Sequence, residues 1–323
     1  MNILVTGANG LIGKVLVNAL LDEGHHVTAQ IRREENRVFG ERADIKYVVI
    51  TNICSETDWE CALKNIDVVI HTAAYVHTTK HAMGFENECY EINTYATEKL
   101  ATDSVRAGVG KFVFLSSITV HGLQPDSSDC VNEETEIFPQ SVYADSKYQA
   151  EQILNKFSND IMQTVIIRPP LTYGPGIKAN FLGLVKLVDS GLPLPLNAIR
   201  NRRSFISVWN LVDFILLCIS NSKANNQTFV VSDNYDLSTP ALIRKIAKHL
   251  GKRARLFYVP VWLLRAAAGV TGRTGAIERL QGNLCINTEK AHSLLGWHPP
   301  VGFDEGLQKT LQWYKASKQD LSG

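Results

Sequence analysis

Cysteine is sparse. Six residues, at positions 54, 61, 89, 130, 218 and 285 with no CxxC pair, are too few to frame a disulfide scaffold in a chain of 323 residues, so reduced, buried thiols are expected. Proline is scarce at 11 residues, and neither charge dominates: 33 basic against 32 acidic residues leave a formal net charge of +1. That balance argues against a protein that holds nucleic acid or a membrane surface by bulk electrostatics, and it points to small-molecule partners. Long apolar runs are missing as well. The richest, Leu211 to Ile219 and Val259 to Val270, fall short of a bilayer span, and the second carries Arg265. The opening MNILVTGANG has no basic n-region, long h-region or cleavage site, so no export and a cytoplasmic location are expected. No internal repeat or low-complexity tract is seen. What the chain does have is 45% hydrophobic residues, enough for a sizeable core in one large domain or two modest ones.

Up to about residue 170, short β-branched runs alternate with helical patterns, as in a parallel sheet with crossover helices. The predicted strands are Ile3 to Val5, Val27 to Ile31, Tyr47 to Ile50, Val68 to Ile70, Phe112 to Leu115 and Thr164 to Ile167, each an unbroken apolar run of the kind buried on both faces. Helices are predicted most clearly at Ile12 to Glu23, Glu91 to Ala107 and Ser146 to Phe157. After Arg168 the rhythm gives way to Pro- and Gly-containing loops, RPPLTYGPG and SGLPLPL. The expected organisation is therefore a nucleotide-binding α/β domain over 1–168 and a mainly substrate-binding region over 169–323, with some later segments returning to the sheet.

Thr6-Gly7-Ala8-Asn9-Gly10-Leu11-Ile12-Gly13 follows the first strand and opens the first helix, the context a dinucleotide-binding glycine loop requires. Gly7 permits the tight turn, Gly10 lets a pyrophosphate approach the backbone, and Gly13 allows helix and strand to pack closely, with Asn9, Leu11 and Ile12 lining the same loop. The fold class expected is a Rossmann-type parallel sheet with helices on both faces. The second strand ends without the usual ribose-binding acid and runs instead into Arg32-Arg33, a pair suited to a 2′-phosphate; NADP is the expected cofactor, with NAD the alternative.

Phe112 to Ser117 is a strand ending in two hydroxyls, at the strand end where open α/β sheets bind ligands. Tyr143 and Lys147 stand four apart at the start of a helix, on one face. A neighbouring ammonium is expected to lower the phenol pKa and fit Tyr143 for proton transfer.

With these motifs the sequence resembles the extended short-chain dehydrogenase/reductases of the nucleotide-sugar epimerase/dehydratase family over nearly its whole length. His71-Thr72-Ala73-Ala74, Asn93, Arg168-Pro169 through Tyr173-Gly174-Pro175, and Leu295-Gly296-Trp297 add to the match. The resemblance implies that Tyr143 is the acid/base, that Lys147 holds the nicotinamide ribose, and that Ser117 hydrogen-bonds the reacting oxygen. It further implies cofactor contacts from Asn52, Ile53, Ala73, Ala74 and Pro170. Nucleotide-sugar contacts would come from Thr119, Asn180 and Arg203. It also implies a homodimer paired through helices Glu91 to Ala107 and Ser146 to Phe157.

The dehydratases of this family carry an Asp-Glu pair directly after the catalytic hydroxyl, where this sequence has Ile118-Thr119, so 4,6-dehydration is not expected. The stretch from Arg168 to Ser204 resembles the bacterial UDP-N-acetylquinovosamine synthesis enzymes. The expected reaction is thus NAD(P)H-dependent reduction of a UDP-4-keto-6-deoxy-N-acetylhexosamine at C4, for O-antigen or capsule synthesis. A UDP-hexose 4-epimerase and a non-catalytic NADP-sensing protein on the same fold are the alternatives. His121 reads as a packed histidine. His77 and His81, four apart, lack a third zinc ligand, so no metal is expected. Arg200, Arg202 and Arg203 read as a diphosphate site rather than a nucleic-acid patch.

Overall fold

The computed structural model describes residues 1–40, 42–76, 84–122, 129–157, 162–270 and 282–320. The six β-branched runs form strands β1 (Asn2–Thr6), β2 (His26–Ile31), β3 (Ile45–Val49), β4 (Val68–His71), β5 (Lys111–Leu115) and β6 (Gln163–Arg168). Two short strands, β7 (Leu171–Tyr173) and β8 (Phe205–Ser207), pair in parallel apart from the main sheet. A ninth, β9 (Gln227–Val230), joins β6, completing a seven-stranded parallel sheet in the order β3-β2-β1-β4-β5-β6-β9. The order reverses between β1 and β4, and their C-terminal ends therefore open a crevice for a ligand.

Alternate residues of the central strands feed two cores. Ile3, Val5, Ile70 and Val113 pack against Leu16, Val17 and Leu20 of α1 (Leu11–Asp22), together with Leu211, Phe214 and Ile215 from a later helix, α7 (Val208–Ser220). On the opposite face Leu4, Val69, Phe112 and Phe114 meet α2 (Glu60–Leu63), Leu100 of α4 (Ala96–Arg106) and Leu154 of α5 (Val142–Phe157). The predicted helix over Glu91 to Ala107 begins earlier, with α3 (Phe85–Tyr90), and passes into α4 through a π-helical turn at Glu91–Tyr95 that contains Asn93. A third core joins α6 (Ala179–Asp189), α8 (Thr239–Leu250) and helix Phe303–Asp320 around Tyr173, Phe181, Phe205, Ile246 and Leu307. Asp233 pins this region to the sheet, accepting from Tyr173 Oη (2.6 Å), the Ser207 amide (2.9 Å) and Asn210 Nδ2 (2.6 Å). Among the described residues no helix is long and apolar enough to cross a membrane.

The thiol expectation needs correction. Cys130 and Cys285 form a disulfide across 155 residues, Cys61 is exposed and Cys54 half-buried, whereas Cys89 and Cys218 are buried and free. The fold makes the bridge by laying the segment after β5 beside a segment 155 residues later, where Val131 pairs with Ile286, a proximity that cysteine spacing cannot show. Reduction with dithiothreitol should destabilise the chain by about 2–4 kcal/mol through release of the long loop. Urea melts with and without reductant check this, and coincident curves would show that the bridge contributes nothing.

Candidate active site

β1 ends in Thr6, and the chain turns at Gly7 with φ +66°. A Cβ there would lie 2.9 Å from the Ala73 amide, so the glycine loop and the end of β4 approach backbone to backbone. The Ala73 amide also donates to Thr6 Oγ1 at 3.3 Å. Gly10 is extended at the helix start and its amide donates to the Gly7 carbonyl at 2.8 Å. Gly13, buried one turn on, has the Gly7 carbonyl where a Cβ would sit, at 2.2 Å. Leu11 and Ile12 are half-buried in the first turn of α1. Gln30, which the sequence reading passed over, holds this loop: its Oε1 accepts from the Gly7 amide at 2.9 Å, and its Nε2 donates to the carbonyls of Ile31 and Ile50. The available signal is a long amide side chain in a run otherwise made of Val, Thr, Ala and Ile.

Asn9 donates through Nδ2 to the Asn36 carbonyl at 2.7 Å, while its Oδ1 is buried without a hydrogen-bond partner among the described residues. A buried acceptor of that kind calls for a donor. Arg32 and Arg33 are both exposed; Arg33 sits 3.5 Å from Glu35 and Arg37 pairs with Glu34, so the segment after β2 is a self-paired charged turn. Asn52 is exposed, Ile53 packs at the rim of the α4 core, Ala73 and Ala74 are half-buried, and Pro170 is buried.

β5 delivers Ser116 and Ser117 to the same crevice. Ser117 Oγ caps the short 3₁₀ turn Ile118–His121, accepting from the Thr119 amide at 3.2 Å and lying 2.8 Å from Thr119 Oγ1. Tyr143 and Lys147 lie one turn apart near the start of α5, where Ser141 Oγ accepts from the Ala144 amide. Lys147 is fully buried, with Nζ 4.3 Å from the centroid of the Phe114 ring. No hydrogen bond joins Nζ to a described residue.

Burial pushes the Tyr143 phenol up to about 12; Cys89 adds to this and a hydrogen bond with Ser117 opposes it. Burial also pushes Lys147 down to about 7, against the raising influence of Glu151 and Cys89. The expected lowering of the phenol by its ammonium neighbour is thus corrected, because desolvation penalises the charged form of both groups.

Asn93 ties the neighbouring pieces together. Its Oδ1 accepts from the Tyr75 amide at 2.8 Å, and its Nδ2 donates to Ser146 Oγ at 3.1 Å, linking the loop after Ala74 to the catalytic helix. A π-turn that carries such a bridge is a common mark of a functional site. His121 packs as expected, between Arg168 Nη1 (3.0 Å) and the Glu136 carbonyl (3.3 Å), and burial pushes it down to about 4.

Other expected substrate contacts lie farther along the chain. Asn180 is exposed in the first turn of α6. Arg203 is half-buried where its backbone bridges Leu237 and Leu284, and burial lowers its pKa. Arg200 is exposed, and Arg202 pairs with Asp236 at 2.9 Å. His77 and His81 fall outside the described residues. Cys130, Asp236 and Cys285 are spaced closely enough to bind a metal, yet the sulfurs are bonded to each other and the carboxylate already receives Ser204 and Arg202.

The cradle of Gly7, Gly10 and Gly13, the orphaned Asn9 Oδ1 and the buried Lys147 ammonium fit a nicotinamide dinucleotide. Comparison with known proteins agrees. Residues 3–232 match the NAD dependent epimerase/dehydratase family. The chain is 37% identical to a UDP-glucose 4-epimerase of Vibrio cholerae over 315 residues, covering 96% of this chain and 94% of that protein. It is 25% identical to the N-acetyl-alpha-D-glucosaminyl-diphospho-ditrans,octacis-undecaprenol 4-epimerase of Escherichia coli O157:H7, over 99% of this chain and 98% of that one. In fold it is similar to the UDP-glucuronic acid 4-epimerase of Bacillus cereus in complex with NAD, with a TM-score of 0.79 at 22% identity, covering 98% and 99% of the two chains. The match runs from β1 through β9 and takes in both the glycine loop and the Ser117, Tyr143 and Lys147 cluster, so this chain belongs to the NAD dependent epimerase/dehydratase family.

Proposed function

We propose that the chain is a UDP-hexose 4-epimerase that retains NAD through its cycle. The observation that carries this reading is the hydroxyl, phenol and ammonium cluster at the end of β5, flanked by Ile118 and Thr119 instead of carboxylates: it equips the site to move a proton at one sugar oxygen and leaves it without the extra acid and base that elimination requires. The similarity to a UDP-glucose 4-epimerase favours epimerisation over the 4-keto reduction expected from the stretch Arg168 to Ser204. NAD replaces NADP in this reading, since Arg33 is exposed and paired with Glu35.

NAD, when bound, would supply the hydride acceptor and donor that oxidation and re-reduction at C4 require. Gly7, Gly10 and Gly13 would let its diphosphate approach the backbone, Asn9 Oδ1 would accept from a hydroxyl or amine of the cofactor, and Lys147 would hold its nicotinamide ribose. Tyr143 would act as its phenolate, the form that the positive charge of an oxidised nicotinamide favours against burial, taking the proton of the C4 hydroxyl as the carbon is oxidised and returning it when the ketone is reduced from the other face. Ser117, braced by Thr119, hydrogen-bonds the same oxygen, where charge develops. Asn180 and Arg203 would bind the nucleotide-sugar diphosphate, Arg203 as the charge-assisted donor.

Incubation with UDP-glucose, and separately with UDP-N-acetylglucosamine, should yield the C4 epimer by proton NMR with no net change in nicotinamide absorbance. Stoichiometric NADPH consumption on a UDP-4-keto-6-deoxy-N-acetylhexosamine, without interconversion of either UDP-hexose, would establish the reductase instead.

A further inference from the structure

Glu151 takes no part in the steps above, yet its side chain is only 1% exposed and lies one helical turn beyond Lys147. Its carboxylate accepts from Arg168 Nε at 3.0 Å and Nη2 at 2.6 Å, a bidentate ion pair, and also from the hydroxyl of Ser116, the residue before Ser117. Arg168 ends β6, and the next carbonyl, that of Pro169, accepts from the Ile118 amide at 3.0 Å. One buried carboxylate therefore joins the helix of Tyr143 and Lys147, the strand end of Ser117 and the start of the Pro169-Pro170 segment.

We infer that Glu151 is a positioning residue of this site: it holds the Ser116-Ser117 strand end in register with α5 and serves as countercharge to the buried Lys147 ammonium. The inference rests on the proposed roles of Ser117, Tyr143 and Lys147. The groups facing Lys147 are Tyr143 and Glu151 on its own helix, Cys89 on α3, His71 on β4 and the Phe114 ring on β5. His71 is hydrogen-bonded to Thr6 and Thr97 and is pushed down to about 3 by burial and by Lys147, so it is neutral. Burial raises the Cys89 thiol, which keeps it neutral as well. Arg168 is turned to Glu151 and His121. Glu151 is left as the anion, and a buried ammonium without one tends to shed its proton.

The sign follows directly. Lys147 loses its charge as pH rises through about 7, and removing the countercharge moves that loss to lower pH. In Glu151→Gln, which keeps the shape, the Lys147 titration followed by NMR of ¹³Cε-lysine-labelled protein should shift to acid by about one pH unit or more. The high-pH limb of kcat should move with it, giving a loss of about ten-fold at pH 8 that largely recovers at pH 6. If that variant fails to fold with Arg168 unpaired, Glu151→Gln combined with Arg168→Gln removes both charges of the pair, and a smaller shift to acid is expected, because losing the Arg168 cation also relieves some repulsion of the ammonium. A folded variant whose Lys147 titrates as in the parent overturns the inference. Failure of the parent to interconvert UDP-hexoses would instead overturn the proposed function, and the NMR titration would still decide the role of Glu151.

Discussion

Tyr143→Phe is expected to lower turnover of the UDP-hexose by about 10³-fold while leaving the Kd for NAD within about two-fold. The substitution removes one oxygen from a side chain held in α5, so packing, the glycine loop and Lys147 all stay in place. What disappears is the group that takes the C4 hydroxyl proton, and among the described residues no other titratable side chain is placed beside Ser117 to replace it: Ile118 and Thr119 follow directly, and His121 is buried against Arg168. Ser117→Ala is the milder control, since it removes a hydrogen bond to the developing charge but spares the proton acceptor. Steady-state kinetics and NAD fluorescence titration on the same preparations separate the two effects. Turnover by Tyr143→Phe near that of the parent would remove the phenol from the chemistry.

Gly13→Ala should have the second-largest effect, through loss of bound NAD and a stability loss of at least about 3 kcal/mol. The added Cβ would lie 2.2 Å from the Gly7 carbonyl and 2.8 Å from Ala8, both backbone, so α1 must move off β1. That displacement pulls the helix N-terminus away from the phosphates it serves. Gly24→Ala makes the contrast: nothing lies within 4 Å of its Cβ, and only its φ of +77° is penalised, at a cost of about 1–2 kcal/mol. Thermal melts and NAD retention on gel filtration report both consequences. A Gly13→Ala protein that melts with the parent and keeps its NAD would show that the loop does not need this close approach.

Local pattern was enough for the elements that build the crevice. The apolar runs of β1, β2, β4, β5 and β6 are buried on both faces, and the glycine triplet is read from the steric demands of one turn and one helix start. Tyr143 and Lys147 share a helix face because their spacing is helical. β9 escaped notice because its half-buried QTFV is an edge strand whose partner, β6, lies far back in the chain. The helix expected from Glu91 starts at Phe85 instead, because the π-turn at Glu91–Tyr95 interrupts the period that would carry the pattern back into α3.

Long-range contact and desolvation govern the rest. Gln30 under the Gly7 amide, Asn93 against Ser146, Cys130 bonded to Cys285 and Glu151 clasping Ser116 and Arg168 all join residues that no spacing rule connects. The motif pattern suggested that Lys147 lowers the Tyr143 pKa, but burial depresses the lysine and raises the phenol. Periodicity records which side chains turn inward; it does not record what they meet there, and charge in a dry interior depends on everything it meets.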